Sequence, residues 1–115
     1  MGDLSKNFNK SEFDCNSGCD MPEDVFENVE VHAQNLQTIR NFLNESIKIN
    51  SGYRCSSYNA SVGGASKSQH LTGNASDLVA HNHTPSQLAD IIEGLIRIGA
   101  IEEGGLGRYN TFTHY

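Results

Sequence analysis

Residues 68–77 read Ser68-Gln69-His70-Leu71-Thr72-Gly73-Asn74-Ala75-Ser76-Asp77, and a second histidine, His114, follows far along the chain. Gly73 can form a sharp turn that folds His70 back towards a following strand, which carries Asp77. Two imidazoles and one carboxylate are a donor set of catalytic zinc sites, in which a fourth position stays open for water. We therefore predict that His70, Asp77 and His114 bind one Zn²⁺ ion per chain.

Two further blocks accompany this stretch, which has the form S-x-H-x-x-G-x-A-x-D. One is Ser51-Gly52-Tyr53-Arg54 followed by Val62-Gly63-Gly64-Ala65, and the other, G-x-G-R-Y-x-x-F-x-H, covers residues 105–114. In this order the three blocks resemble the M15 peptidases, the D-Ala-D-Ala carboxypeptidase and phage endolysin group that shares its fold with the Hedgehog signalling domain. The resemblance covers most of the chain, because the blocks run from about residue 46 to the end.

The resemblance also implies roles for residues around the donors. In the family, the arginine that matches Arg54 is assigned to substrate or transition-state binding, and a fixed guanidinium can hold a carboxylate or a developing oxyanion. A surface ion pair is the alternative for Arg54. We expect Ser68 to hydrogen-bond the substrate or a ligand, with local capping as the alternative. Tyr53, Gln69 and Tyr109 are expected to line the substrate cleft, with packing as the alternative.

One feature of the family pattern is missing. Many members carry Glu or Asp three residues before the third ligand, where it acts as general base, but this chain has Thr111 there. A threonine cannot accept the proton in that way, and Glu102 and Glu103 are the nearest acids upstream. His114 also lies next to the last residue of the sequence, a position that favours fraying. The residues therefore support metal binding better than turnover.

Two functional hypotheses follow. The first is a zinc metallopeptidase that hydrolyses peptide bonds next to D-amino acids in peptidoglycan stem peptides, as a carboxypeptidase or as an endolysin-type endopeptidase. The alternative is a catalytically impaired, zinc-containing binding module of the same fold, which Thr111 favours. The intact Arg54 and Ser68 and the open fourth position favour the enzyme.

Composition limits the other possibilities. The 115 residues carry a formal net charge of -6, which argues against a nucleic-acid partner because phosphates would be repelled. The chain has no apolar run long enough to span a bilayer, so we expect no membrane insertion. The first six residues do not form a secretory signal. We expect a monomer that is cytoplasmic at synthesis and acts on the bacterial cell wall.

The apolar pattern predicts one α+β domain over residues 1–115, with a small, mostly antiparallel sheet flanked by two main helices. Residues 1–20 are a polar arm that Leu4, Phe8 and Phe13 hold against the body. Strands are expected at 46–50, at 75–80 and near the end of the chain. A short helical turn is expected within 55–64, and residues 63–69 form a loop.

The two main helices have clear sequence signals. The first is predicted from Pro22 to Leu43, with proline at the first helical position and an apolar stripe spaced by four and three residues. His32 lies in that stripe, so we predict a packed core histidine with one hydrogen-bond partner. The second helix begins with the capping box of Thr84 and Gln87 and stops at Gly99.

The three cysteines leave several interpretations open. Cys15 and Cys19 have the spacing of a metal pair, but no second pair follows and a structural zinc site needs four ligands. A disulfide that involves Cys19 or Cys55 is a second possibility. Free thiols, either buried or on the surface, are the favoured interpretation.

Overall fold

The computed structural model describes residues 7–64 and 68–115. Four antiparallel strands form one sheet in the order β1-β2-β4-β3, where β1 is Ile47–Ser51, β2 is Asp77–Ala80, β3 is Gly107–Arg108 and β4 is Thr113–His114. Three helices accompany the sheet: α1 is Glu23–Leu43, α2 is Ser56–Ser61 and α3 is Pro85–Arg97. The predicted α+β class is confirmed.

Helix α1 forms because its apolar side chains repeat at helical spacing along one face. The stripe from Val25 to Ile39 is buried. Pro22 is the residue before the helix rather than its first residue, since its ψ of 155° is extended. At the other end Asn44 takes a left-handed conformation and donates its backbone N–H to the carbonyl of Arg40. The predicted end of the helix is therefore confirmed.

Helix α3 starts at the predicted capping box. The Thr84 hydroxyl accepts the backbone N–H of Gln87 at 3.1 Å, and the Gln87 side chain accepts the N–H of Thr84 at 2.9 Å. These two bonds satisfy donors that a helix start otherwise leaves unpaired. The apolar face of α3 is buried through Leu88, Ile92 and Leu95.

The N-terminal arm is held by aromatic side chains, as expected. Phe8 and Phe13 are each 1% exposed and belong to the core, whereas Leu4 lies outside the described residues. The sequence interpretation missed a 3₁₀ turn at Lys10–Phe13. Its signal is the pair Asn9 and Glu12, since the Glu12 carboxylate accepts the backbone N–H of Asn9 at 2.7 Å.

The favoured interpretation of the cysteines as free thiols is wrong for Cys19 and Cys55. Cys19 and Cys55 form a disulfide, while Cys15 is a buried free cysteine. The arm runs alongside the end of β1, where the backbone N–H of Tyr53 donates to the carbonyl of Phe13 at 2.8 Å. That pairing brings Cys19 beside Cys55 although 36 positions separate them.

Strand β2 begins two residues later than predicted, at Asp77. This residue pairs with Ser51 of β1 on one side and with His114 of β4 on the other. The predicted loop at 63–69 lies partly outside the described residues, because 65–67 are not among them. Asp77 is thus the first residue of an inner strand of the sheet, and it pairs with both neighbouring strands.

Candidate metal centre and cleft

The sheet and one turn bring the three predicted donors together. His70 lies in a second 3₁₀ turn, Gln69–Thr72, which Gly73 ends with a φ of 77°. Asp77 Oδ1 is 3.2 Å from His70 Nε2 and 3.1 Å from His114 Nδ1. One donor atom from each residue lies within 4.8 Å of the other two. The three side chains can therefore share one metal ion.

The orientation of His70 is fixed from the far side of its ring. Its Nδ1 lies 2.7 Å from the carbonyl oxygen of Gly52, and the residue is only 2% exposed. Because a carbonyl oxygen only accepts, Nδ1 donates in this bond, and the ring turns Nε2 towards Asp77. A bond of this kind is the usual support for a histidine that binds a metal.

The carboxylate of Asp77 is held in its ionised form. Burial raises the pKa of Asp77, but its contacts with His114 and His70 lower it more, so the pKa lies below its ordinary value. His70 Nε2 lies 3.2 Å from Oδ1 of Asp77. Two imidazoles and one carboxylate whose donor atoms lie within 4.8 Å of one another are a donor set that suits Zn²⁺.

Arg54 contacts the other oxygen of the same carboxylate. Its Nη2 donates to Asp77 Oδ2 at 3.1 Å, its Nε donates to Ser51 Oγ at 3.1 Å, and its Nη1 donates to Asn59 Oδ1 at 3.4 Å. The Arg54 side chain is 15% exposed, so this is not a surface ion pair. The guanidinium supports the candidate metal ligand and also forms part of a cavity wall.

Two cavities meet at the donors. The first has a volume of about 420 Å³, and the second has a volume of about 400 Å³. Gln69 and His114 line both cavities, whereas Arg54, His70 and Asp77 line the second. Both cavities therefore adjoin His114, one of the three candidate ligands.

The remaining predicted cleft residues lie in different surroundings. Tyr109 is 55% exposed and lines the second cavity, as does Ser68, whose Oγ also accepts the backbone N–H of His70 at 3.2 Å. Tyr53 is 7% exposed and belongs to the hydrophobic core, which fits the packing alternative. Phe112 was missed by the sequence interpretation. The third sequence block contains this phenylalanine, which was the available signal. The Phe112 ring stacks on Tyr109 with ring centroids 4.6 Å apart.

The residue that follows His114 makes hydrogen bonds that oppose the expected fraying. The next residue, Tyr115, exchanges two backbone hydrogen bonds with Ser76, at 2.8 and 2.9 Å. Its ring is buried, and its hydroxyl donates to the carbonyl of Glu102 at 2.6 Å. Burial raises the pKa of Tyr115 to about 12, so the hydroxyl keeps its proton and this bond.

Two acids lie in the first cavity. Glu102 and Glu103 line it together with His114, while Thr111 is exposed and lines neither cavity among the described residues. Both acids therefore share the wall of this cavity with His114.

His32 is the packed core histidine that the sequence predicts. It is 5% exposed, and its Nε2 lies 2.8 Å from Ser76 Oγ. Burial lowers the pKa of His32 to about 4, with smaller contributions from His114 and His70. His32 is therefore neutral at pH 7 and supports the segment before Asp77 through Ser76.

The described residues thus place a candidate set of metal ligands in a small α+β domain. A family model described as Peptidase M15 matches residues 4–115, and the chain belongs to this family. Members of the family are generally zinc-dependent, and membership supports a peptidase role. No curated protein matches the chain. Within the described residues, each helix is too short or too polar to cross a membrane.

Proposed function

We propose that this chain is a zinc-dependent peptidase that hydrolyses peptide bonds next to D-amino acids in bacterial peptidoglycan stem peptides. The observation that carries the proposal is the contact of buried Asp77 Oδ1 with His70 Nε2 and His114 Nδ1, at 3.2 and 3.1 Å, where two cavities meet. Family membership supports the peptidase class. The substrate class and its location in the bacterial wall rest on the resemblance of the three sequence blocks.

The donor set has the composition of a catalytic rather than a structural zinc site. His70, Asp77 and His114 would hold the ion and leave one position for exchange. Zinc bound there supplies a Lewis acid for the scissile carbonyl and lowers the pKa of water. The protein contributes a fixed His70 ring, held by the Gly52 carbonyl, and an ionised Asp77.

Side chains in the wall of the second cavity would bind and orient the peptide. Arg54 keeps the Asp77 carboxylate in place through Oδ2 and presents positive charge to a substrate carboxylate or oxyanion. Tyr109 and Phe112 offer a stacked apolar surface beside His114. Ser68 and Gln69 supply polar groups at the same rim.

Proton transfer in this reaction needs a carboxylate, which Thr111 cannot supply. Glu102 and Glu103 lie on the first cavity with His114, so a carboxylate on this side would accept the proton of the attacking water. The same carboxylate would return that proton to the nitrogen of the leaving amine.

The test is hydrolysis of purified peptidoglycan and of short peptides that end in D-alanine by the zinc-loaded chain, with products identified by mass. His70→Ala removes a donor, and His81→Ala changes an exposed histidine just after β2 as a matched control. Cleavage that persists in His81→Ala and disappears in His70→Ala supports the proposal. The product masses distinguish removal of a terminal residue from cleavage within a crosslink.

A zinc-binding module without catalysis is the second candidate function, because Thr111 stands where the family usually has an acid. It predicts one zinc ion per chain under non-reducing conditions, binding to the same peptides, and no product from the wild-type chain. That result would overturn the peptidase proposal. Sedimentation of the same sample checks the expected monomer.

A further inference from the structure

Three cysteine sulfurs lie together at a place that the proposed peptidase mechanism does not use. The sulfurs of Cys15, Cys19 and Cys55 all lie within 4.8 Å of one another. Cys15 Sγ is 3.8 Å from Cys55 Sγ, and Cys55 is bonded to Cys19. These cysteines line neither of the two described cavities beside His114.

The cluster joins two distant parts of the chain. Cys15 and Cys19 flank a tight turn in the arm, where the backbone N–H of Gly18 donates to the Cys15 carbonyl at 2.9 Å and Gly18 has a φ of 84°. Cys55 follows Arg54 directly and precedes α2. Three sulfurs therefore converge from a Cys-x-x-x-Cys turn and from the chain segment after β1.

The surroundings of the sulfurs are polar in a way that suits thiolates. Ser17 Oγ lies 3.2 Å from the Cys15 sulfur, 3.1 Å from the Cys19 sulfur and 3.8 Å from the Cys55 sulfur. Donors directed at sulfur favour the thiolate, which is the form that binds metal ions.

We propose that, once the Cys19–Cys55 disulfide is reduced, Cys15, Cys19 and Cys55 bind one thiophilic divalent cation of the zinc type as three thiolates. A Zn–S bond of about 2.3 Å places the sulfurs of a tetrahedral site roughly 3.8 Å apart. The Cys15 and Cys55 sulfurs already have this separation, at 3.8 Å. The fourth position belongs to Ser17 Oγ or to water, which completes the four ligands that the sequence alone did not supply.

A phosphine can reduce the Cys19–Cys55 disulfide in a balanced reaction. The phosphine gives two electrons to the S–S bond, each sulfur takes one proton, and the phosphine leaves as its oxide with oxygen from water. Binding of one divalent cation then releases three thiol protons. The cation would connect the arm to the segment after β1 in reducing surroundings, as the disulfide does in oxidising ones.

Cobalt(II) and zinc titrations of the full chain test the proposal, with and without phosphine and without oxygen. The oxidised chain should bind one ion, at the histidine and aspartate donors, and the reduced chain should bind two. The additional cobalt should produce thiolate-to-metal charge-transfer absorption, which imidazole and carboxylate ligands do not give. His70→Ala should keep this absorption, while Cys15→Ser should lose both the absorption and the second ion.

Two outcomes would overturn the site. The first is a reduced wild-type chain that binds no additional ion and shows no thiolate absorption, and the second is a Cys15→Ser chain that keeps both. Alkylation of the wild-type chain gives a readout that needs no variant. Bound zinc should protect three thiols from iodoacetamide, as counted by mass, and alkylation of all three at the metal-free rate speaks against the proposal.

Discussion

Arg54 and Asp77 are joined by a 3.1 Å ion pair between Nη2 and Oδ2, the carboxylate oxygen that neither imidazole contacts. Both side chains are largely buried, with 15% and 9% of their surfaces exposed. The carboxylate is therefore divided, with Oδ1 in contact with the two histidines and Oδ2 in contact with the guanidinium. Hydrogen bonds to a metal ligand of this kind orient it and tune its affinity.

The first prediction concerns this pair. Arg54→Gln should weaken zinc binding about tenfold to a hundredfold, because the Asp77 carboxylate loses its support. Arg54→Lys keeps the charge but loses the planar fork, so its effect should lie between wild type and Arg54→Gln. Competition with a coloured chelator measures the affinity.

Arg108→Gln is the matched control, since Arg108 pairs with Asp90 and Glu93 at a more exposed position. Unchanged zinc affinity in Arg54→Gln, together with a raised KM for the peptide, would assign the guanidinium to the substrate rather than to Asp77.

The second prediction uses two glycines with similar backbone angles. Gly73 has a φ of 77° and Gly99 a φ of 75°. A Cβ on Gly73 would lie 2.8 Å from a methyl group of Val29 and 2.9 Å from the Val25 carbonyl oxygen, whereas a Cβ on Gly99 meets open space. Gly99→Ala should lower the free energy of unfolding by about 1 kcal/mol. Gly73→Ala should lower it by about 3 kcal/mol, since crowding adds to the strain.

Urea denaturation of the metal-free variants measures both values. Equal losses in the two variants would mean that the contact between Gly73 and α1 does not constrain the turn that carries His70.

The third prediction is a pH dependence from His32. Its pKa is lowered to about 4 in the folded chain, from an ordinary 6.5. The unfolded chain therefore takes up the proton more readily, so this contribution to stability is complete above pH 6.5 and is lost as the pH falls towards 4. The full loss is about 3 kcal/mol.

Comparison of wild type with His32→Gln isolates this effect in urea denaturation at several pH values. The metal-free chain is used, so that loss of a bound ion in acid does not contribute to the difference. His81→Gln is the control and should follow wild type. If the free energy of unfolding fell equally with pH in His32→Gln and in wild type, His32 would not be the cause of the fall.

The fourth prediction rests on the proposed peptidase function and concerns the stacked pair in the second cavity. Tyr109→Ala or Phe112→Ala should raise the KM for a stem peptide about twofold to tenfold, which is the effect expected from loss of one aromatic contact. The kcat should change little, because neither side chain is among the candidate metal ligands. Phe42→Ala, on a 64% exposed side chain of α1, is the control. A fall in kcat at constant KM would place the pair in the chemical step instead.

The features that the sequence predicted depend on residues that lie close together along the chain. The stripe of α1 and the Thr84 capping box were readable because they depend on spacings of three or four residues. The donor set was readable because His70, Gly73 and Asp77 stand in one short pattern, although their assignment as zinc ligands stays a proposal.

The features that were missed depend on contacts between distant segments. Nothing near Cys19 indicates that the arm runs beside Cys55, because that approach comes from the backbone pairing of Tyr53 with Phe13. The ion pair of Arg54 with Asp77 likewise follows from the pairing of β1 with β2. Only the assembled sheet shows which oxygen of the carboxylate contacts the guanidinium and which one contacts the imidazoles.

The three donors differ in how far solvent reaches them. The His114 side chain is 22% exposed, against 3% for His70 and 9% for Asp77. His114 also belongs to the two-residue strand β4, so we expect ions to exchange past this residue and at a rate set by how often β4 opens. Tyr115→Ala, which removes the buried ring beyond His114, should then speed zinc loss to a chelator more than it weakens equilibrium binding. The lifetime of the bound ion would then depend on how often β4 opens rather than on the chemical nature of the ligands.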